Sequence, residues 1–90
     1  MELPINYAKA TQPERKLVRE EYVRVQEGRC CYCNRLLTED PPKELFLDMS
    51  RFPPGFLRWP VHLHHDHNTD MTIGAVHGYC NGVLWQYHGE

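Results

Sequence analysis

Two short ligand pairs constrain this chain more than any other feature. Cys30-x-x-Cys33 and His77-x-x-Cys80 each have the spacing at which neighbouring side chains close on one tetrahedral ion. Their effect on folding is large because the chain has 90 residues. A domain of that size buries only about 60–70% of the surface it exposes when unfolded, so a staple is expected to support the core. The four cysteines could form two disulfides or join a metal site. The opening MELPINYAKATQPERK has no apolar stretch of the kind a secretory signal carries. A reducing, cytoplasmic setting is therefore expected, and there metal is favoured over disulfide. A Cys-x-x-Cys pair alone would also suit redox chemistry, but no βαβ pattern surrounds this one. Three thiolates and one neutral imidazole around Zn²⁺ predict a closed structural site made of Cys30, Cys33, His77 and Cys80. Metal binding there contributes folding energy. Cys31 falls outside the set as a small buried or semi-exposed side chain.

The rest of the chain supplies elements for that staple to join. Thr11-Gln-Pro-Glu14 reads as a capping box with Pro13 in the first turn, followed by a helix to about Gln26 and a stop at Gly28. Val18, Tyr22 and Val25 share one helix face. Arg15, Lys16 and Arg19 share another, which suits either solvent or phosphate. Gly28 to Asn34 is a tight cysteine-rich knuckle. Pro41, Pro42, Pro53 and Pro54 forbid a long helix between Thr38 and Gly55, leaving room for a short element around Leu45 to Met49. Leu57 to His65 predicts a strand or hairpin arm, Asn68-Thr-Asp70 a turn, and Gly78 to Tyr87 a terminal helix with Val83 and Leu84 inward, ended by Gly89. The expected fold is small α+β, in the order helix, knuckle, β-hairpin, short helix. Residues 1–27 form an arm and helix, and 28–90 a zinc-stapled module, within one compact domain. No apolar run is long enough to span a membrane, so a soluble protein is expected.

Charge is distributed unevenly. The formal net charge is −2, yet all ten Lys and Arg lie at or before Arg58, whereas all six histidines follow Trp59. The front of the chain is suited to a polyanion and the back to metal.

Val61-His-Leu-His-His-Asp-His-Asn-Thr69 places four histidines and an acid between His62 and His67. A passive metal-binding tract would have such a composition. The pattern of a zincin, His-Glu-x-x-His, and that of a zinc deaminase are both missing. His64-His-Asp-His-Asn-Thr69, then Gly74, then His77-x-x-Cys80-Asn81 resembles the recombination endonuclease VII branch of the HNH, or ββα-metal, nucleases. The resemblance covers roughly residues 28 to 85, runs ungapped from His64 to Asn81, and includes Cys30 and Cys33.

The resemblance implies a ββα-metal fold with a zinc knuckle and an added N-terminal helix, and a metal-dependent DNA endonuclease. Carried over position by position, His64 and Asn81 hold a catalytic divalent ion, His65 is the general base, and Asp66 and His67 form the second acid-histidine pair. Hydrolysis would leave 5′-phosphate and 3′-hydroxyl ends. Two positions depart from the family pattern, since His64 stands for an aspartate and His77 for a cysteine. The first implies that Mn²⁺, Co²⁺, Ni²⁺ or Zn²⁺ serves better than the hard, oxygen-seeking Mg²⁺. A frame shifted by two residues, with Asp66 as ligand and His67 as base, is the alternative. His62 and His88 are expected at the surface or in packing. A different class of function, a non-enzymatic zinc module binding nucleic acid or a protein partner, accounts for the cysteines but leaves His64, His65 and Asn81 without a role.

Overall fold

The computed structural model describes residues 2–89, so Met1 and Glu90, the outer limits of the sequence-based division, lie outside the described residues. Helix α1 spans Gln12–Val25. Its start is the expected capping box: the Thr11 hydroxyl accepts from the Glu14 N–H at 3.3 Å, and the Glu14 carboxylate accepts from the Thr11 N–H at 3.2 Å. Pro13 has no N–H, so two of the three orphan donors of the first turn are thereby satisfied. The helix stops where Glu27 and Gly28 take positive φ angles of 57° and 74°. Val18 and Tyr22 are buried as expected, but Val25 is 52% exposed. The inward place at that end of the helix is filled by Val23, which packs on the core, and by the Gln26 side chain, which reaches the backbone of the sheet.

Strands β1 (Val61–His65) and β2 (Thr72–His77) form an antiparallel hairpin in which Val61 faces His77 and His64 faces Gly74, with a bulge between His64 and His65. β1 starts later than the expected Leu57. Pro60 has no N–H for the ladder, and its carbonyl instead accepts from the Gly78 N–H at 2.9 Å. The hairpin turn lies where it was expected. The Asp66 carboxylate accepts from the N–H groups of Asn68 and Thr69, and Asp70 adopts φ 63°. Helix α2 (Gly78–His88) follows β2 directly, buries Val83 and Leu84, and ends on Gly89 in the left-handed conformation.

Two apolar clusters hold these elements together. The larger joins Val18 and Tyr22 of α1 to Cys30, Leu37, Leu63, Val76, Cys80 and Leu84, so the N-terminal helix shares its core with the region that follows. The smaller seats the proline-rich segment on α2 through Leu47, Phe52 and Val83. The ordered element in that segment is a 3₁₀ turn at Met49–Arg51, just past the expected place. The Asp48 carboxylate caps it by accepting from the Ser50 N–H and hydroxyl. The arm before α1 runs beside the start of β2. Ile5 hydrogen-bonds through its N–H to the Thr72 hydroxyl and through its carbonyl to the Thr72 N–H, and the Tyr7 N–H donates to the Asp70 carbonyl. Among the described residues no helix is long and apolar enough to cross a membrane.

Candidate metal centre and histidine groove

The knuckle is a miniature hairpin. Arg29 bridges Leu36, the Cys30 N–H donates to the Arg35 carbonyl, and Asn34 turns the chain at φ 64°. It points Cys30 and Cys33 at the junction of β2 and α2, where His77 ends the strand and Cys80 lies in the first turn of the helix. The ligand atoms of Cys30, Cys33, His77 and Cys80 all lie within 4.8 Å of one another. His77 Nδ1 is 3.4 Å from Cys33 Sγ and 3.6 Å from Cys80 Sγ. Tetrahedral zinc with ordinary bond lengths places nitrogen and sulfur ligands roughly 3.6 Å apart, so the donor set fits the ion.

The imidazole is oriented for the same task. His77 Nε2 lies 3.0 Å from the Leu36 carbonyl and 2.9 Å from that of Glu39. Two carbonyls require the proton on Nε2, which leaves the Nδ1 lone pair facing the thiols. Hydrogen bonding from the Cys80 thiol holds Cys30 down to about 4, and the same bond pushes Cys80 up. All four cysteines are free of disulfides, and Cys31 is exposed and outside the cluster.

The β1 histidines divide across the strand. His62 and His64 turn toward α2, where Asn81 lies between them. His64 Nδ1 is 3.2 Å from Asn81 Oδ1, and Asn81 Nδ2 is 3.1 Å from His62 Nδ1. His64 is buried at 4% exposure. Beyond the bulge, His65 stacks between Tyr7, at 4.0 Å, and His67, at 4.8 Å, with the Arg15 guanidinium 3.9 Å above the Tyr7 ring. Burial moves His65 below its ordinary value. The nearby His67, His64 and Arg15 add to that shift, and Asp70 opposes it. His62 is also lowered by burial, against the pull of the Phe56 and Trp59 carbonyls.

A groove of about 1300 Å³ runs along β1. One wall is α1, with Arg15, Lys16 and Arg19; the other is formed by Phe52, Phe56, Asn81 and Trp85; His62, His65 and His67 open onto it. The structure therefore brings His62, His64 and Asn81 together and sets His62, Asn81, His65 and His67 along the groove, whereas His64 is buried and does not line it. Asp66 begins the turn, where its Oδ1 accepts from the Asn68 and Thr69 N–H groups. His88 lies 3.3 Å from the Tyr32 hydroxyl, in the surface role expected of it. His62 is a member of the cluster that sequence reasoning assigned to surface or packing. Its signal was the two-residue period of a strand, which puts His62 on the face of His64.

Comparison with known protein families, with curated proteins and with solved structures finds no match for this chain.

Proposed function

We propose that this protein is a metal-dependent DNA endonuclease of the HNH, ββα-metal kind. The observation that carries the reading is the meeting of His64 and Asn81 at 3.2 Å across a β1–β2–α2 unit whose strand–helix junction holds the Cys₃His cluster. The basic wall of the adjoining groove supports a polyanionic substrate. Arg15, Lys16 and Arg19 hold backbone phosphates along α1. His65, whose burial disfavours the charged ring, accepts a proton from the attacking water. The water oxygen bonds to phosphorus as the bond to the 3′-oxygen breaks. That oxygen leaves as a hydroxyl after taking a proton from solvent, and the other product carries a 5′-phosphate. Tyr7 and His67 clamp the His65 ring from both faces, which fixes its plane. His64 and Asn81 would hold the divalent ion, whose positive charge would stabilise the negative charge that develops in the transition state. The donors are neutral nitrogen and amide oxygen, a set that favours Mn²⁺, Co²⁺, Ni²⁺ or Zn²⁺ over Mg²⁺.

The test is nicking of supercoiled plasmid across a metal series with structural zinc in place. His65→Ala should slow nicking by about 10²–10⁴-fold, the usual loss with a general base, while keeping its zinc, its fold and most DNA affinity. If His67→Ala is inactive and His65→Ala cuts like wild type, the base belongs to the shifted frame. If the wild-type protein binds DNA or a protein partner and no metal supports nicking, it is a zinc-stapled binding module.

A further inference from the structure

We propose that His62 is a third ligand of the catalytic ion, so that the site consists of His62, His64 and Asn81; this inference rests on the nuclease reading above. Ligands at about 2.1 Å from an ion, in adjacent corners of an octahedron or a tetrahedron, lie roughly 3.0–3.4 Å apart. A single Asn81 amide meets both rings: its Oδ1 is 3.2 Å from His64 Nδ1 and its Nδ2 is 3.1 Å from His62 Nδ1. Both ring nitrogens thus lie at coordination spacing from one amide, and on binding an ion the amide would turn its oxygen, and His64 its Nδ1 lone pair, toward the metal.

The His62 ring is seated as a metal-binding imidazole is. The carbonyls of Phe56 and Trp59 lie on its other side and favour a protonated ring nitrogen there. Nδ1 already faces the Asn81 amide N–H, which needs an acceptor, so the ring proton belongs on Nε2. Nε2 is indeed the atom lying against Gly78, on the side of the Trp59 carbonyl. The Nδ1 lone pair is left pointing into the cluster, the same arrangement that His77 shows toward the thiols. Phe56 braces the ring edge-on at 4.9 Å.

The seat also depends on a missing side chain. A Cβ at residue 78 would fall 2.9 Å from His62 Nε2 and 2.9 Å from the Trp59 carbonyl oxygen, closer than real Cβ contacts allow. Gly78 therefore leaves the space that the His62 ring occupies. Gly78 lies between the zinc ligands His77 and Cys80, so the staple that orders the start of α2 also shapes the cradle for His62.

The test is Mn²⁺ binding to the zinc-loaded full-length protein, followed by the loss of the free-ion electron paramagnetic resonance signal. His62→Phe keeps an aromatic ring in the seat and removes the donor. It should weaken Mn²⁺ affinity by at least about tenfold with zinc content unchanged and the protein still folding cooperatively at the assay temperature. Unchanged Mn²⁺ affinity in a folded His62→Phe protein overturns the proposal and leaves His64 and Asn81 as the ligands. Absence of Mn²⁺ binding by wild type overturns both this proposal and the metal-dependent reading beneath it. A measurement on wild type covers the case in which the variant misfolds: on adding Co²⁺ to the zinc-loaded protein, two histidine ring N–H resonances, from His62 and His64, should show large paramagnetic shifts. One such resonance instead of two refutes the third ligand.

Discussion

The side chain of Gln26 acts as a one-residue strand beside β2, and removing it should cost more than an exposed helix end normally would. Its Oε1 accepts from the Ala75 N–H at 2.9 Å, and its Nε2 donates to the Ala75 carbonyl at 2.9 Å and the Arg29 carbonyl at 2.7 Å. Ala75 is fully buried, so after Gln26→Ala its N–H has no acceptor and water reaches it poorly. Leaving a buried donor unsatisfied costs about 1–3 kcal/mol. The Ala75 carbonyl keeps the Cys31 N–H at 2.9 Å, and the Arg29 carbonyl can turn to water, so the other two bonds add less than about 1 kcal/mol between them. The sum is roughly 1–4 kcal/mol, and for a domain of this size each kcal/mol lowers Tm by about 4–8 °C. Urea unfolding should be compared at one fixed free zinc concentration, because zinc binding shifts apparent stability by mass action. Gln26→Met preserves side-chain length and should lose nearly as much as Gln26→Ala if the hydrogen bonds are the cause. Gly74→Ala probes the same contact, since a Cβ there would meet Gln26 Oε1 at 2.7 Å; its cost should shrink in a Gln26→Ala background. A loss below about 0.5 kcal/mol for Gln26→Ala, the range of ordinary surface substitutions, would show that Ala75 finds another partner and would refute the argument.

Cys33→Ser should lose the tightly held zinc and most of the folded signal, whereas Cys31→Ser should keep both; metal analysis and circular dichroism on the two proteins decide it. Glu14 titrates below its usual 4.5 because its carboxylate accepts from Thr11. That capping contribution is complete above 4.5 and fades as pH falls through the lower folded value; a carbon-13 titration should show the depressed value, and Glu14→Gln should remove this part of the acid dependence. His64→Asp should raise Mg²⁺-supported nicking relative to Mn²⁺, and equal metal preference in both proteins would remove His64 from the ligand set.

Much of the architecture was legible because local chemistry and tertiary position agreed. Thr11 and Glu14 form a cap wherever a helix starts, Gly28 and Gly89 fit positive φ at helix ends, and ligand pairs at Cys-x-x-Cys spacing point to one ion whatever lies between them. Legibility failed where a residue's surroundings come from distant segments. Val25 has the period of a buried residue, yet Gln26 takes the inward place because the β2 backbone at Ala75 needs partners. Asp66 reads as part of a second acid–histidine pair, and the sequence does not show that its Oδ1 also accepts from the Asn68 and Thr69 N–H groups of the turn. Tyr7 carried no signal, since its stacking on His65 depends on the arm being pinned to Thr72 and Asp70. His62 is the instructive case. Reading the histidine run as a string of candidates hid what the strand period shows, that His62 and His64 share a face.

The adjacency of Cys80 and Asn81 has a consequence for how the proposed chemistry can be probed. Asn81 directly follows Cys80 and Gly78 directly follows His77, both members of the Cys₃His cluster, and β1 pairs with the strand that ends on His77. Zinc at the Cys₃His cluster would thus fix the start of α2 relative to the hairpin, and with it the distances among His62, His64 and Asn81. Any substitution that empties the staple lets all three donors drift, and a displacement of about 1 Å is enough to spoil a catalytic constellation. Loss of cleavage in a cysteine variant therefore carries no information about which groups act on the phosphodiester. The informative positions are those attached to the site but not to the staple. His65 is held by Tyr7 and His67, and His62 by Phe56 and the carbonyls of the preceding loop. Their removal leaves the four zinc ligands untouched, so a change in rate or in Mn²⁺ affinity at these residues reports on the chemistry itself.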